Sequence, residues 1–494
     1  MRTVIFLLAF ASALFFGSLV APILVGSAFG EREPVIRLSI LASTGAFVAS
    51  VTMAATLGYK HVLTPNRLLL SMVAVWMTMA LIGTTPFMLV SGMPFGQALF
   101  ESVSGLTTSG ASTIVSRGAL PQSILFWRLQ LEWTGGFLTL ASLFLVLSPL
   151  AIGGLPRRAM ASEWRADLSD ERDGGVEHLK RYMPLLAAYG GVSILVFLAY
   201  IASGADSLGA AHLTMTSIST GGFNPTDSEL EAHYGSTTLT VMACVLAVAA
   251  TSLFWQRYDL ANPVRVIWRN REAWWVVLLI ATLTLLYLIA FNTIGALRGP
   301  GGAGTVILES FFAAASVIST SGHSIRPGVI ALLPEIMVFS IAFVSAAVFS
   351  TASGLKVHRL GAMLVQSIRE LNLLIYPSSI TPTRIAQADY DERVIVETWP
   401  VLVLTLAVMA FGVFTIAGGQ GTFEAAMLAA MALVLNAGPL YEAYVPIAAT
   451  PELWPDYRDF TSFERYIGCA IMLLGRLEFI AVFAILNLKY WLSR

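Results

Sequence analysis

Four short stretches constrain this chain more than anything else in it: "TTSGA" at Thr107–Ala111, "STGGF" at Ser219–Phe223, "STSGH" at Ser319–His323 and "LNAGP" at Leu435–Pro439. Each ends a segment (95–113, 205–225, 305–325 and 420–440) too short and too mixed to cross a bilayer, and each segment lies between two long apolar runs. Aligned on Gly110, Gly222, Gly322 and Gly438, the stretches recur at a period of about a hundred residues. An internal repeat of this kind governs how its members are read.

The apolar runs mark a polytopic membrane protein. Of 494 residues, 56% are hydrophobic and only 12% charged, too little charge to cover a soluble surface of this size. At about 20 residues per crossing of a ~30 Å core, candidate helices fall near 3–27, 38–58, 68–91, 122–149, 183–203, 237–255, 274–294, 329–349, 397–417 and 466–488. The first is read as a retained helix and not a cleaved signal. It is longer than a signal's apolar region and lacks a small-residue cleavage site. Cys244 and Cys469 stand alone in apolar runs, with neither disulfide nor metal-ligand spacing. A net charge of −1 and the absence of a basic run give no footing to nucleic acid. There is no H-E-x-x-H, Walker A or nucleophile elbow, so no enzyme activity and no organic cofactor are expected. "GPGGAG" at Gly299–Gly304 matches G-x-G-x-x-G by letter, but it has no βαβ context and reads as an external loop.

Non-helical backbone at membrane depth is tolerated only when buried in protein or lining a water-filled path. Four helix–short segment–helix units can close around one axis, each giving one loop. Glycine permits close approach and backbone conformations barred to other residues, and inward carbonyls can replace a cation's hydration shell. The loop cores hold no Asp or Glu, which points to a monovalent ion such as K+ over a divalent one. The alternative is four small-residue turns that let helices pack closely. If the loops enter from outside, most of the 29 Lys and Arg fall on the cytoplasmic side, including Arg157, Arg158, Arg165, Arg172, Lys180 and Arg181 in one connection. That bias places the N-terminus inside. The stretch Arg257–Trp275, mixing Arg with Trp, reads as an interfacial anchor, with docking of a regulator as its second reading.

The motifs "FESVSGLTTSGAST", "EWTGG", "SISTGGFNP", "NAGP", "STASGLKVHR" (Ser350–Arg359) and "GRLE" (Gly475–Glu478) together resemble the Trk/Ktr/HKT superfamily of potassium transporters over essentially the whole chain. The extra N-terminal helix pair makes the TrkH type the nearest match. The resemblance implies a filter role for Thr108, Ser109 and Gly110, Thr220, Gly221 and Gly222, Thr320, Ser321 and Gly322, and Asn436, Ala437 and Gly438. It also implies K+ as the transported ion, a homodimer, and gating by a cytoplasmic ring of nucleotide-binding, TrkA-like subunits. Two residues depart from the pattern: His323 stands where Phe is more frequent, and Leu440 where Gly is common. His323 could make flux depend on pH, although a packed or solvated neutral ring is the plainer reading.

Two further features are expected to act below the filter. Ser345–Gly354 interrupts a segment too long for one crossing. Its plain reading is a kink with close packing. The resemblance instead makes it an obstructing loop, with Ser350, Thr351, Ala352, Ser353 and Gly354 in it and Lys356 at its cytoplasmic end. Arg476 lies mid-helix, where a charge is costly and faces a partner or the aqueous path. Glu478 and Glu132 are its candidate partners in a structural role, and the resemblance places it beside the path.

The reading is an all-α polytopic membrane protein divided as 1–62 (helix pair), 63–160, 161–270, 271–385 and 386–494 (four pore units), in pseudo-fourfold arrangement. It is expected to conduct K+ inward across a bacterial cytoplasmic membrane, with both termini cytoplasmic. The rivals are a symporter coupled to H+ or Na+, a non-conducting K+ sensor and, last, an intramembrane enzyme, for which no paired nucleophile and base are present.

Overall fold

The computed structural model describes residues 2–56, 64–114, 116–150, 152–155, 182–224, 230–255, 268, 270–293, 302–376, 384–385, 388–389, 392–419, 421–445 and 453–477. The basic cluster of Arg157 to Arg181, most of Arg257–Trp275, Gly299–Gly301 and Glu478 lie outside these residues. The chain is an all-α, multi-pass membrane protein. Seven described helices are long and apolar enough to span: α1 (Arg2–Ala28), α2 (Arg32–Thr56), α3 (Pro65–Ser91), α5 (Gln122–Leu150), α6 (Met183–Ala202), α9 (Arg271–Thr293) and α13 (Ile395–Ala417, within Glu392–Ala417). The strands Arg384–Ile385 and Ala388–Asp389 form one small antiparallel pair.

Between them run shorter helices: α4 (Phe95–Leu106), α7 (Ser207–Ser219), α8 (Ser236–Ala249), α10 (Gly302–Ile318), α11 (Glu335–Val344), α12 (Val357–Ile375), α14 (Phe423–Val434), α15 (Gly438–Glu442) and α16 (Ser462–Leu477). Two of the ten predicted spans therefore differ from expectation. The span near 237–255 is α-helical only over α8, and that near 329–349 only over α11, each with one short 3-10 turn besides. The last is described only to Leu477.

Helices α4, α7, α10 and α14 are buried on nearly all sides over their C-terminal halves, polar residues included. In α14 the residues Ala425, Ala426, Leu428, Ala429, Ala430, Ala432, Leu433 and Val434 are all buried. By contrast α6 turns Ile194 (62% exposed) and Leu195 (68%) outward, the signature of a lipid-facing helix. Side-chain caps fix two starts: Asp206 accepts from Gly209 N at 3.2 Å and Thr422 from Ala425 N at 3.2 Å.

The packing closes on itself. α7 rests on α5, α10 on α8, α14 on α11, and α4 on α16, so each buried short helix leans on an exit helix of its neighbour. "EWTGG" supplies one such seam. A Cβ on Gly135 would overlap the Leu106 carbonyl group and one on Gly136 would lie 2.9 Å from Ser219 Cβ, so both glycines let α5 press on the ends of α4 and α7. Gly475 does the same between α16 and Val434.

Candidate functional site

Each of the four buried helices ends in the same way. Thr108, Thr220, Thr320 and Asn436 follow them with φ of 57°, 53°, 59° and 48°, in the left-handed region. One residue later the amide bonds back five residues: Ser109 N to Ser104 O (2.8 Å), Gly221 N to Thr216 O (2.8 Å), Ser321 N to Ser316 O (3.1 Å) and Ala437 N to Ala432 O (2.8 Å). This is the left-handed C-terminal cap, which glycine usually supplies. A side chain in that conformation costs about 1–2 kcal/mol, and here the cost recurs at four positions in register. The sequence reading aligned the glycines and missed that these neighbouring residues carry the bend.

All twelve predicted loop residues are buried, and the four loops meet. A Cβ on Gly110 would lie 2.6 Å from the Gly222 carbonyl carbon, and one on Gly222 2.9 Å from Ser321 O. A Cβ on Gly322 would lie 2.8 Å from Leu440 N, and one on Gly438 2.6 Å from Ala111 Cα. Gly110 and Gly322 are also left-handed, at φ 73° and 71°, whereas Gly222 and Gly438 serve close approach alone. Gly438 N donates to Ser109 O at 2.7 Å, and Tyr457 Oη donates to Gly438 O at 3.2 Å. Two backbone carbonyls of the expected ring are thus engaged within the protein in this conformation.

A buried charge network backs the first two loops, and sequence reasoning did not single out most of it. Glu101 accepts from Thr113 N at 2.6 Å and from the hydroxyls of Ser112 and Thr113, both at 3.0 Å. Arg128 Nε donates to Glu101 Oε2 at 3.1 Å, and its guanidinium lies 4.0 Å from the Phe223 ring centre. Phe223 N in turn donates to Glu132 Oε1 at 2.7 Å. The available signal was an acid and a base set in apolar runs, which is costly unless they pair. Arg128→Met leaves Glu101 charged without its cation, so the detergent-solubilised variant should lose about 3–5 kcal/mol of stability in thermal unfolding. A melting curve matching that of the parent chain would contradict this.

His323 is packed, 4% exposed, with Nε2 3.2 Å from Thr216 Oγ1, and so ties the third loop to the second. Leu440 is fully buried beside Gly322.

Helix α11 stops at Val344 and helical structure resumes only at Val357. The backbone between them is pinned to the loops: Thr351 Oγ1 donates to Ile218 O at 2.9 Å, and Ser353 N to Thr320 Oγ1 at 3.1 Å. Lys356, left-handed at φ 77°, donates to Ala352 O and to Ser350 Oγ. Gly354, at φ 94°, lies where a Cβ would sit 3.0 Å from the Ala342 and Phe343 carbonyl oxygens. Arg476 donates to Thr351 O at 2.6 Å, to Ser353 Oγ, and to Thr139 Oγ1 at 2.7 Å on α5. Its described hydrogen-bond partners are therefore neutral oxygens of the interrupting segment and of α5. Glu132, weighed as its partner, instead holds the second loop.

The comparisons with known proteins bear on this arrangement. The TrkH family profile, described as a cation transport protein, matches residues 42–254. The Trk system potassium uptake protein TrkH of Halomonas elongata is 26% identical, with 99% of each chain covered. That of Escherichia coli K12 is 25% identical over 85% of each. The chain is thus similar to TrkH proteins over nearly its whole length. The family is one of transport proteins, not of enzymes. A crystal structure of the potassium transporter TrkH from Vibrio parahaemolyticus superposes on this chain with a TM-score of 0.83 at 22% identity, covering 99% of both, and so shares its fold.

Proposed function

We propose that the chain carries K+ into a bacterial cell along a path formed where the four loops meet. The observation that carries this reading is the fourfold recurrence of one strained cap on four buried helices whose C-terminal ends converge. A helix C-terminus bears roughly half a negative charge, and four of them favour a cation without any carboxylate in the loops. Filter residues are then Thr108–Gly110, Thr220–Gly222, Thr320–Gly322 and Asn436–Gly438, offering uncharged oxygens suited to a monovalent ion. The relatives named above as potassium uptake proteins point to K+.

In this conformation the path is obstructed below the loops. The loops touch their neighbours in turn around the ring, first to second, second to third, third to fourth and fourth to first, and the segment 345–356, held by Arg476, packs against the second and third loops. Conduction requires the segment to withdraw. The division of the chain into a helix pair and four units, at 1–62, 63–160, 161–270, 271–385 and 386–494, belongs to the same reading. So do a homodimer, a TrkA-like cytoplasmic ring as regulator, and both termini on the cytoplasmic side of the inner membrane.

Rb+ uptake into proteoliposomes tests the proposal, with the protein alone and with its cytoplasmic partner. Uptake blocked by K+ and not by Na+ is expected. One rival, a K+ sensor, would bind Rb+ and never pass it, partner or not.

A further inference from the structure

The segment between α11 and α12 is held at a second place, away from the loops and Arg476. Ala347 N donates to Ala250 O at 2.9 Å, just past the end of α8, and Val348 N donates to Glu272 Oε1 at 2.5 Å, in the first turn of α9. Both acceptors belong to the ends of the connection that joins the second unit to the third. Those ends are tied to each other: Asn270 Nδ2 donates to Ser252 Oγ at 2.9 Å, while Asn270 Oδ1 accepts from Ala273 N at 3.2 Å and so caps α9. Val348 is fully buried, and next to it Phe349 stacks on Phe144 with ring centres 4.7 Å apart. An amide at such depth needs an acceptor, and a carboxylate is a stronger one than a carbonyl.

We propose that Glu272 is the latch of the obstructing segment: a positioning residue through which a shift of the first turn of α9 releases Val348 and lets the segment leave the path. The inference rests on the conduction reading above and adds to it the point where regulation enters. The chain from input to obstruction is continuous: connection ends, Glu272, Val348, then Thr351 and Ser353 against the loops. A shift of the first turn of α9 breaks the charged hydrogen bond before it disturbs any contact at the filter. The latch therefore governs how often the path opens and leaves its ion preference alone.

The test uses the full-length protein in proteoliposomes without a partner, with Glu272→Ala, Glu272→Gln and Arg476→Ala beside the parent chain. Rb+ uptake and hydrogen exchange of the peptide spanning 345–356 are read on the same preparations. Glu272→Ala should raise basal uptake about tenfold, with unchanged K+ over Na+ preference and faster exchange at 347–349. Glu272→Gln keeps a carbonyl acceptor and should fall between Glu272→Ala and the parent. A merely structural role would lower the melting temperature without this graded rise in selective flux. If Arg476→Ala conducts and Glu272→Ala matches the parent in uptake, the latch is wrong, and faster exchange alone would not save it. If no variant conducts, Arg476→Ala included, and adding the cytoplasmic partner changes nothing, the conduction reading itself falls and takes the latch with it.

Discussion

Gly110→Asp is expected to abolish selective Rb+ uptake. Two independent costs meet at this position. The residue is left-handed, at φ 73°, which costs a non-glycine residue about 1–2 kcal/mol. Its Cβ would also fall 2.6 Å from the Gly222 carbonyl carbon and 2.9 Å from the Gly222 nitrogen, so the first two loops must separate to admit it. A new carboxylate would then stand where only uncharged oxygens line the loops, and it would bind a monovalent cation too tightly or admit a divalent one. With every 1.4 kcal/mol worth tenfold in rate, uptake should drop by about 100-fold or more, or lose its preference for K+ over Na+. The check is uptake per folded protein, with folding verified by size-exclusion profile. Parent-like selective uptake would remove Gly110 from the path.

The second large effect runs the other way. Arg476→Ala should raise basal Rb+ uptake by about 10–100-fold. The guanidinium makes three hydrogen bonds, to Thr351 O, Ser353 Oγ and Thr139 Oγ1, and so staples the obstructing segment to α5. Bonds from a charged donor contribute about 1.5–3 kcal/mol each and are not additive. Removing all three while the segment keeps its contacts to Ile218 O and Thr320 Oγ1 weakens the closed state without dissolving the loops. Arg476→Lys offers one compact ammonium in place of a planar fork, so it cannot span the three acceptors and should leak almost as much. Uptake in Arg476→Ala no higher than in the parent, in folded protein, would contradict a restraining role.

Much of the arrangement is legible in the sequence because membrane burial is written in long runs. The interruption after Val344 shows as small hydroxyl residues where a helix should continue, and the four recurring stretches announce segments that do not cross. What the sequence hides is spacing in three dimensions. Two predicted spans shrink to α8 and α11 because apolar character persists beyond the helix end: Ala347, Val348 and Phe349 are buried in irregular backbone and not in a helix. The bend at Thr108, Thr220, Thr320 and Asn436 was not foreseen, since threonine and asparagine carry no strong left-handed signal; the tertiary contact of the loops overrides the local preference. Glu101 and Arg128 lie 27 positions apart and become partners only when α4 and α5 pack. The partners of Arg476 were equally out of reach: no nearby sequence distinguishes Thr351 and Ser353 from Glu132 as its acceptors.

Anomalous X-ray scattering from crystals of the protein saturated with Rb+ tests the central claim most directly. The account predicts Rb+ density on the axis between Gly110, Gly222, Gly322 and Gly438, inside the ring that the loops form by touching their neighbours. Rb+ found only elsewhere at saturating ion would contradict it.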